Sequence, residues 1–135
     1  MVNQSLKNLL PAGLEDLLPP EADYEEFIVR KLSDYYTRYG YQRVKPPLLE
    51  FETSLLDGIG ATVSEETFRL MDPISQRMMG LRADMTPQVA RLAATRLQGA
   101  PRPLRLMYNG EVLRVKGGHL RPNRQFRAVG VELIG

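Results

Sequence analysis

Cysteine and tryptophan are absent from the 135 residues, and there is a single histidine, His119. Without cysteine there can be no disulfide, thiolate metal site or thiol nucleophile, and a reducing compartment fits. A lone histidine in a basic loop cannot build a metal site, and nothing pairs a serine with an activating base. Long apolar runs are also missing. The opening MVNQSLKNLLPAGLEDLL meets acids early and reads as neither a signal peptide nor a membrane span. A cytoplasmic location, no metal and no cofactor are the resulting expectations. Aromatics make up 7% of the chain, and beyond residue 76 only Tyr108 and Phe126 remain. That is too few to suggest a stacking platform for single-stranded nucleic acid.

What is present is an ordinary globular mixture, 43% apolar and 25% charged, in a length suited to one domain over 1–135. The net charge of +2 conceals a division. Residues 1–76 hold 7 basic and 13 acidic side chains, a net of −6, and residues 77–135 hold 11 and 3, a net of +8. Such a split points to an anionic ligand or partner for the second half, with a phosphate-bearing small molecule, RNA and a plain solvated face as the alternatives.

Hydrophobic spacing predicts a helix over residues 21–39, after an opening segment broken by Pro11, Gly13, Pro19 and Pro20. Its tyrosines read as packing residues with polar tips. Residues 41–50 read as extended, with Pro46 and Pro47 outside any ladder, and a short helix is expected around 52–57. DGIGA, residues 57–61, marks a turn, because no strand precedes it and no third glycine follows. Residues 67–72 and 77–82 form an expected hairpin across Pro73-Ile74-Ser75. In TPQVARLAATRLQG, Thr86 is expected to cap a helix that Pro87 begins and Gly99 closes, with Val89, Leu92, Ala93 and Leu97 as its apolar stripe. Leu104, Leu106 and Tyr108 alternate as one strand, and Val129, Val131 and Leu133 as another, around the basic loop KGGHLRPNR. The mixture argues an α+β fold, an antiparallel sheet with flanking helices.

Three segments carry a resemblance: GYQRVKPPLLE, LRADMTPQVAR, and NGEVLR with its basic loop and RQFRAVGVELIG. They resemble the first half of a class II aminoacyl-tRNA synthetase core of the histidyl type, and LPAGLEDLLPPEA is similar to that group's opening. The resemblance runs from about residue 10 to 135. It implies a core left incomplete at residue 135, since a whole relative is two to three times longer and carries a third motif. It also implies that Pro47 lies in a dimer interface and that Arg114, with Arg124, belongs to an ATP or phosphate site. Asp84, Thr86 and Glu132 become candidate histidine-binding residues.

Departures from the synthetase pattern are specific. Lys116 stands where an acid accepts from the adenine amino group, and an ammonium can only donate. Arg82-Ala83-Asp84-Met85-Thr86 replaces R-P-E-G-T, and Ala128 replaces a glutamine. These changes are similar to the family's regulatory branch. That branch implies a non-catalytic subunit that partners the catalytic subunit of short-form ATP phosphoribosyltransferase, as a homodimer within a hetero-oligomer. It takes histidine as regulatory ligand and has no use for tRNA. The alternatives are a fragment of a true histidyl-tRNA synthetase and, from charge alone, an RNA-binding module.

Overall fold

The computed structural model describes residues 9–57 and 61–135. The turn expected at DGIGA falls largely on residues 58–60, outside the described residues. Ten elements follow one another: α1 (Glu21–Arg38), β1 (Gln42–Arg43), β2 (Leu49–Phe51), α2 (Glu52–Leu55), α3 (Ala61–Glu65), β3 (Phe68–Met71), β4 (Met78–Leu81), α4 (Thr86–Ala94), β5 (Leu104–Leu113) and β6 (Gln125–Ile134). They form two three-stranded sheets, ordered β1-β5-β6 and β2-β4-β3. The α+β expectation holds with one refinement. The sheets are antiparallel except where β1 lies parallel to β5 at the edge.

The β5–β6 ladder positions everything else. Its ten pairs run from Leu104 opposite Ile134 to Leu113 opposite Gln125. Because side chains alternate, even-numbered positions share one face and odd-numbered positions the other. Leu104, Leu106, Tyr108 and Val112 on the even face are buried against Met85, Val89 and Ala93, with Phe126, Ala128 and Ile134 packed at the margin. The odd face turns to α1. Arg127 Nη1 reaches Glu26 at 2.6 Å, and Arg105 donates to the Tyr39 carbonyl at 3.1 Å. Val129, Val131 and Leu133 alternate as an apolar face, but that face does not hold the main core. Leu133 is 60% exposed, and the main core lies on the side of Glu132. Alternation identified two faces without saying which one α4 covers.

Three local expectations change as well. The tyrosines of α1 do not pack inward: Val29 and Ser33 are buried on its inner side, while Tyr24, Phe27, Tyr35 and Tyr39 are more than half exposed. The helix sits on a narrow apolar seam plus the Arg127 ion pairs, so its broader aromatic stripe is left uncovered by the described residues. Thr86 is not the cap of α4. It is the first helical residue, and its N–H donates to Asp84 Oδ1 at 3.2 Å, so the carboxylate two residues earlier satisfies one open amide of the first turn and leaves the threonine hydroxyl free. The helix also stops at Ala94, well before Gly99. Thr95 Oγ1 bonds the Arg91 carbonyl at 2.7 Å and the chain leaves in turns. The hairpin of β3 and β4 forms as read, with Asp72 accepting from the Ile74 and Ser75 amides and the Ser75 hydroxyl at its tip.

The division of charge is partly consumed inside the fold. Glu25 and Glu26 meet Arg127, Glu50 meets Arg91, and Glu66 meets Arg114, each time an acid of the first half with a base of the second. Charge asymmetry along the chain therefore brings the two halves together, as well as shaping the surface.

Candidate functional site

Both carboxylates named from the sequence bond the same residue. Asp84 accepts from the Thr86 amide, and the freed Thr86 hydroxyl donates to Glu132 Oε1 at 3.2 Å. A third group joins them. Tyr108 donates its hydroxyl to Glu132 Oε1 at 3.3 Å and lies 3.3 Å from Thr86 Oγ1. Asp84, Thr86 and Glu132 are thus brought together, and Tyr108 was not foreseen as their partner. A signal for it exists in the sequence. Gly130 sits directly opposite Tyr108 in the ladder, and a Cβ there would lie 2.5 Å from the Tyr108 oxygen. A strand glycine facing an aromatic lets the ring lie flat across the sheet and aim its tip two residues on.

With both hydroxyls aimed at Oε1, the second oxygen of each acid accepts no hydrogen bond among the described residues. A cleft of about 560 Å³ opens beside Glu132, lined by Thr86, Ala90, Ala93, Arg102, Glu132 and Ile134, while Asp84 stands outside its lining. The Glu132 oxygen left without a donor at this cleft has the chemistry to accept from a cationic group such as an ammonium or imidazolium.

Burial pushes the Tyr108 phenol above its usual value. The Thr86 hydrogen bond works the other way, and the charges of Glu132 and Asp84 add to the rise. The folded state therefore holds the phenolic proton more firmly than the unfolded chain. This contribution to stability is complete below the ordinary tyrosine range near pH 10 and is lost as pH climbs through the raised folded value. Stability should fall above about pH 10 in the wild type and fall less steeply in Tyr108→Phe, measured by urea unfolding at stepped pH. Equal slopes would show that another group titrates. At neutral pH the same substitution should cost about 1.5–3 kcal/mol, the worth of one hydrogen bond to a charged acceptor.

The phosphate-type residues are divided by the structure. A second cleft of about 420 Å³ is lined by Arg114, Lys116, His119, Arg121, Asn123 and Phe126. The Arg114 guanidinium lies 5.0 Å from the Phe126 ring centre, with Nε directed to the Ala83 carbonyl at 3.3 Å, and Arg121 approaches the same ring at 5.9 Å. Arg124 is not brought to this cleft. Its backbone bonds Arg114 and Gly13 at 2.7 Å each, and its side chain donates to the Ala12 carbonyl at 2.9 Å and lies over Phe68. It pins the opening segment in place of facing a ligand. Arg121 and Phe126 line the cleft beside Arg114, and Arg124 does not. Lys116 adds a cation where adenine recognition calls for an acceptor.

Pro47 lies between β1 and β2, exposed, with its carbonyl taken by Gln88 Nε2 at 2.7 Å. The described residues contain no helix long and apolar enough to cross a membrane and no cluster of three or more His, Asp or Glu residues able to hold a metal ion.

An antiparallel ten-pair hairpin with arginines at its mouth, backed by a capped helix carrying acid and hydroxyl groups, defines a class II synthetase-like core. The sequence model of the histidyl-tRNA synthetase family matches residues 13–135, and the chain belongs to that family. Within it, the chain is 64% identical over 135 residues to the ATP phosphoribosyltransferase regulatory subunit of Paramagnetospirillum magneticum, covering 100% of this chain and 36% of that protein. It is 66% identical over 127 residues to the subunit of the same name from Rhodospirillum centenum, covering 94% of this chain and 33% of the relative. The chain thus spans about a third of the length of these curated relatives. Among solved structures, an ATP phosphoribosyltransferase regulatory subunit/histidyl-tRNA synthetase from Bacillus halodurans superposes with a TM-score of 0.79 at 30% identity, over 95% of this chain and 32% of that one.

Proposed function

We propose that the protein to which this chain belongs is the non-catalytic regulatory subunit of ATP phosphoribosyltransferase, acting in the first step of histidine biosynthesis. In this reading it partners a short-form catalytic subunit and senses histidine at the Asp84–Thr86–Tyr108–Glu132 site. The observation that carries the ligand reading is the convergence of two hydroxyls on one Glu132 oxygen, which leaves its other oxygen without a donor among the described residues, beside a cleft. The observation against synthetase chemistry is Lys116 in the arginine-lined cleft, where a donor replaces the acceptor that adenine needs. Support for the partner comes from relatives at 64% and 66% identity that bear the regulatory-subunit name. Histidine can regulate by binding two states of the assembly unequally.

The test uses purified full-length protein. Histidine-dependent pyrophosphate exchange into ATP should stay far below about 1 per second, while mixing with a short-form catalytic subunit should raise phosphoribosyl transfer. Exchange at or above that rate, with no complex in size exclusion, would instead support a synthetase.

A further inference from the structure

Three consecutive carbonyls of the connector between β1 and β2 accept hydrogen bonds from the stretch that carries Asp84 and Thr86. Arg82 Nη1 donates to Pro46 at 3.0 Å, Gln88 Nε2 to Pro47 at 2.7 Å, and the Arg82 amide to Leu48 at 3.1 Å. Two prolines in succession have no N–H, so their carbonyls are the only backbone groups through which this rib can be held there. The donors are core groups: Arg82 is 5% exposed and Gln88 1%. They flank the ligand groups symmetrically, Arg82 two residues before Asp84 and Gln88 two residues after Thr86.

Arg82 holds a second support, Nε to the Glu111 carbonyl at 2.8 Å, which ties the same stretch to β5. The Gln88 amide oxygen is buried and has no partner among the described residues. A buried, unmatched acceptor is a cost, and hydrophobic isosteres avoid it. Gln88 therefore tolerates a penalty in return for its bond to Pro47. Stability alone gives no reason for a glutamine at this place.

We propose that Arg82 and Gln88 are positioning residues. They clamp both flanks of the Asp84–Thr86 pair to the Pro46–Leu48 rib and so fix where the carboxylate and hydroxyl meet Glu132. The consequence is that ligand affinity depends on the rib, although no rib residue lines the cleft beside Glu132. This inference rests on the amino-acid-binding reading of the site, and its test separates the two.

The experiment measures histidine binding by calorimetry on the full-length protein carrying Gln88→Met, Pro47→Ala or both. Gln88→Met keeps the length of the side chain and removes the donor. Histidine affinity should fall about tenfold, as happens when a group that holds a ligating side chain is lost. Pro47→Ala keeps the carbonyl that accepts from Gln88, so it should bind as the wild type does, and the double variant should match Gln88→Met, because only the donor is lost. Unchanged affinity in Gln88→Met, or a loss in Pro47→Ala as large as that in Gln88→Met, would overturn the proposal. Should Gln88→Met prove unstable, Gln88→Asn keeps the amide and falls short of Pro47. A readout without ligand decides the case where the wild type binds no histidine. Hydrogen exchange at the Thr86 amide, bonded to Asp84, should speed up in Gln88→Met. Exchange unchanged there would sink the positioning role, whereas faster exchange without histidine binding would sink only the choice of ligand.

Discussion

Arg82→Ala should cost about 3–5 kcal/mol of folding stability, a large share of the roughly 5–15 kcal/mol that holds an ordinary domain together. The guanidinium is buried and serves two carbonyls, Pro46 and Glu111, that belong to different parts of the fold. Burial lowers its affinity for the proton, and Glu111 and Glu50 work against that, so it remains a cation in the core. Truncation leaves two acceptors without donors, at about 1–3 kcal/mol each, and opens a void as well. Close packing at Gly110 adds to the sensitivity, since a Cβ there would collide with the same guanidinium. Urea unfolding of the full-length protein gives the number. A loss below about 1 kcal/mol would mean that water enters and replaces the bonds.

Glu132→Gln should weaken histidine binding by about ten- to a hundredfold, the worth of one charge-assisted hydrogen bond, with little change in stability. The amide oxygen still accepts from Thr86 and Tyr108, so the triangle of hydroxyls survives while the negative charge is gone. Asp84→Asn is the matched variant. Asparagine caps a helix as well as aspartate does, so α4 keeps its first turn and only the charge toward the ligand is removed. Calorimetry on both variants would show reduced affinity with intact thermal unfolding. Wild-type affinity in both would place histidine recognition elsewhere in the assembly.

How far the sequence led depended on whether a residue's partner was near in the chain. The extent of α1, the β3–β4 hairpin and the two strands around the basic loop followed from periodicity and turn residues, which act locally. The site was legible in part, because Asp84 and Thr86 lie in one run and Glu132 breaks an apolar pattern. Tyr108 was missed because its meaning depends on the register that sets it across from Gly130, a pairing of residues 22 apart. The same limit explains Arg124. An arginine near the mouth of a hairpin looks like a phosphate ligand until the opening segment, over a hundred residues away, claims it. Threonine before proline commonly caps a helix, but here the helix already includes Thr86, whose own amide is held by Asp84. Which strand face would be buried was decided by α4, which alternation cannot foresee.

The uncovered aromatic stripe of α1 also makes the chain report on itself. With no tryptophan, its near-ultraviolet emission comes from six tyrosines, of which Tyr24, Tyr35, Tyr36 and Tyr39 lie on or just after this helix. Tyr35 and Tyr39 have ring centres 5.0 Å apart and hydroxyls 3.4 Å apart, so excitation energy passes readily between them. Tyr108 stands alone on the opposite side of the sheet, beside the carboxylates. Anything that settles on α1 should change the brightness and anisotropy of most of the fluorophores at once. A ligand in the cleft should disturb mainly one, giving two optical signatures without an added label.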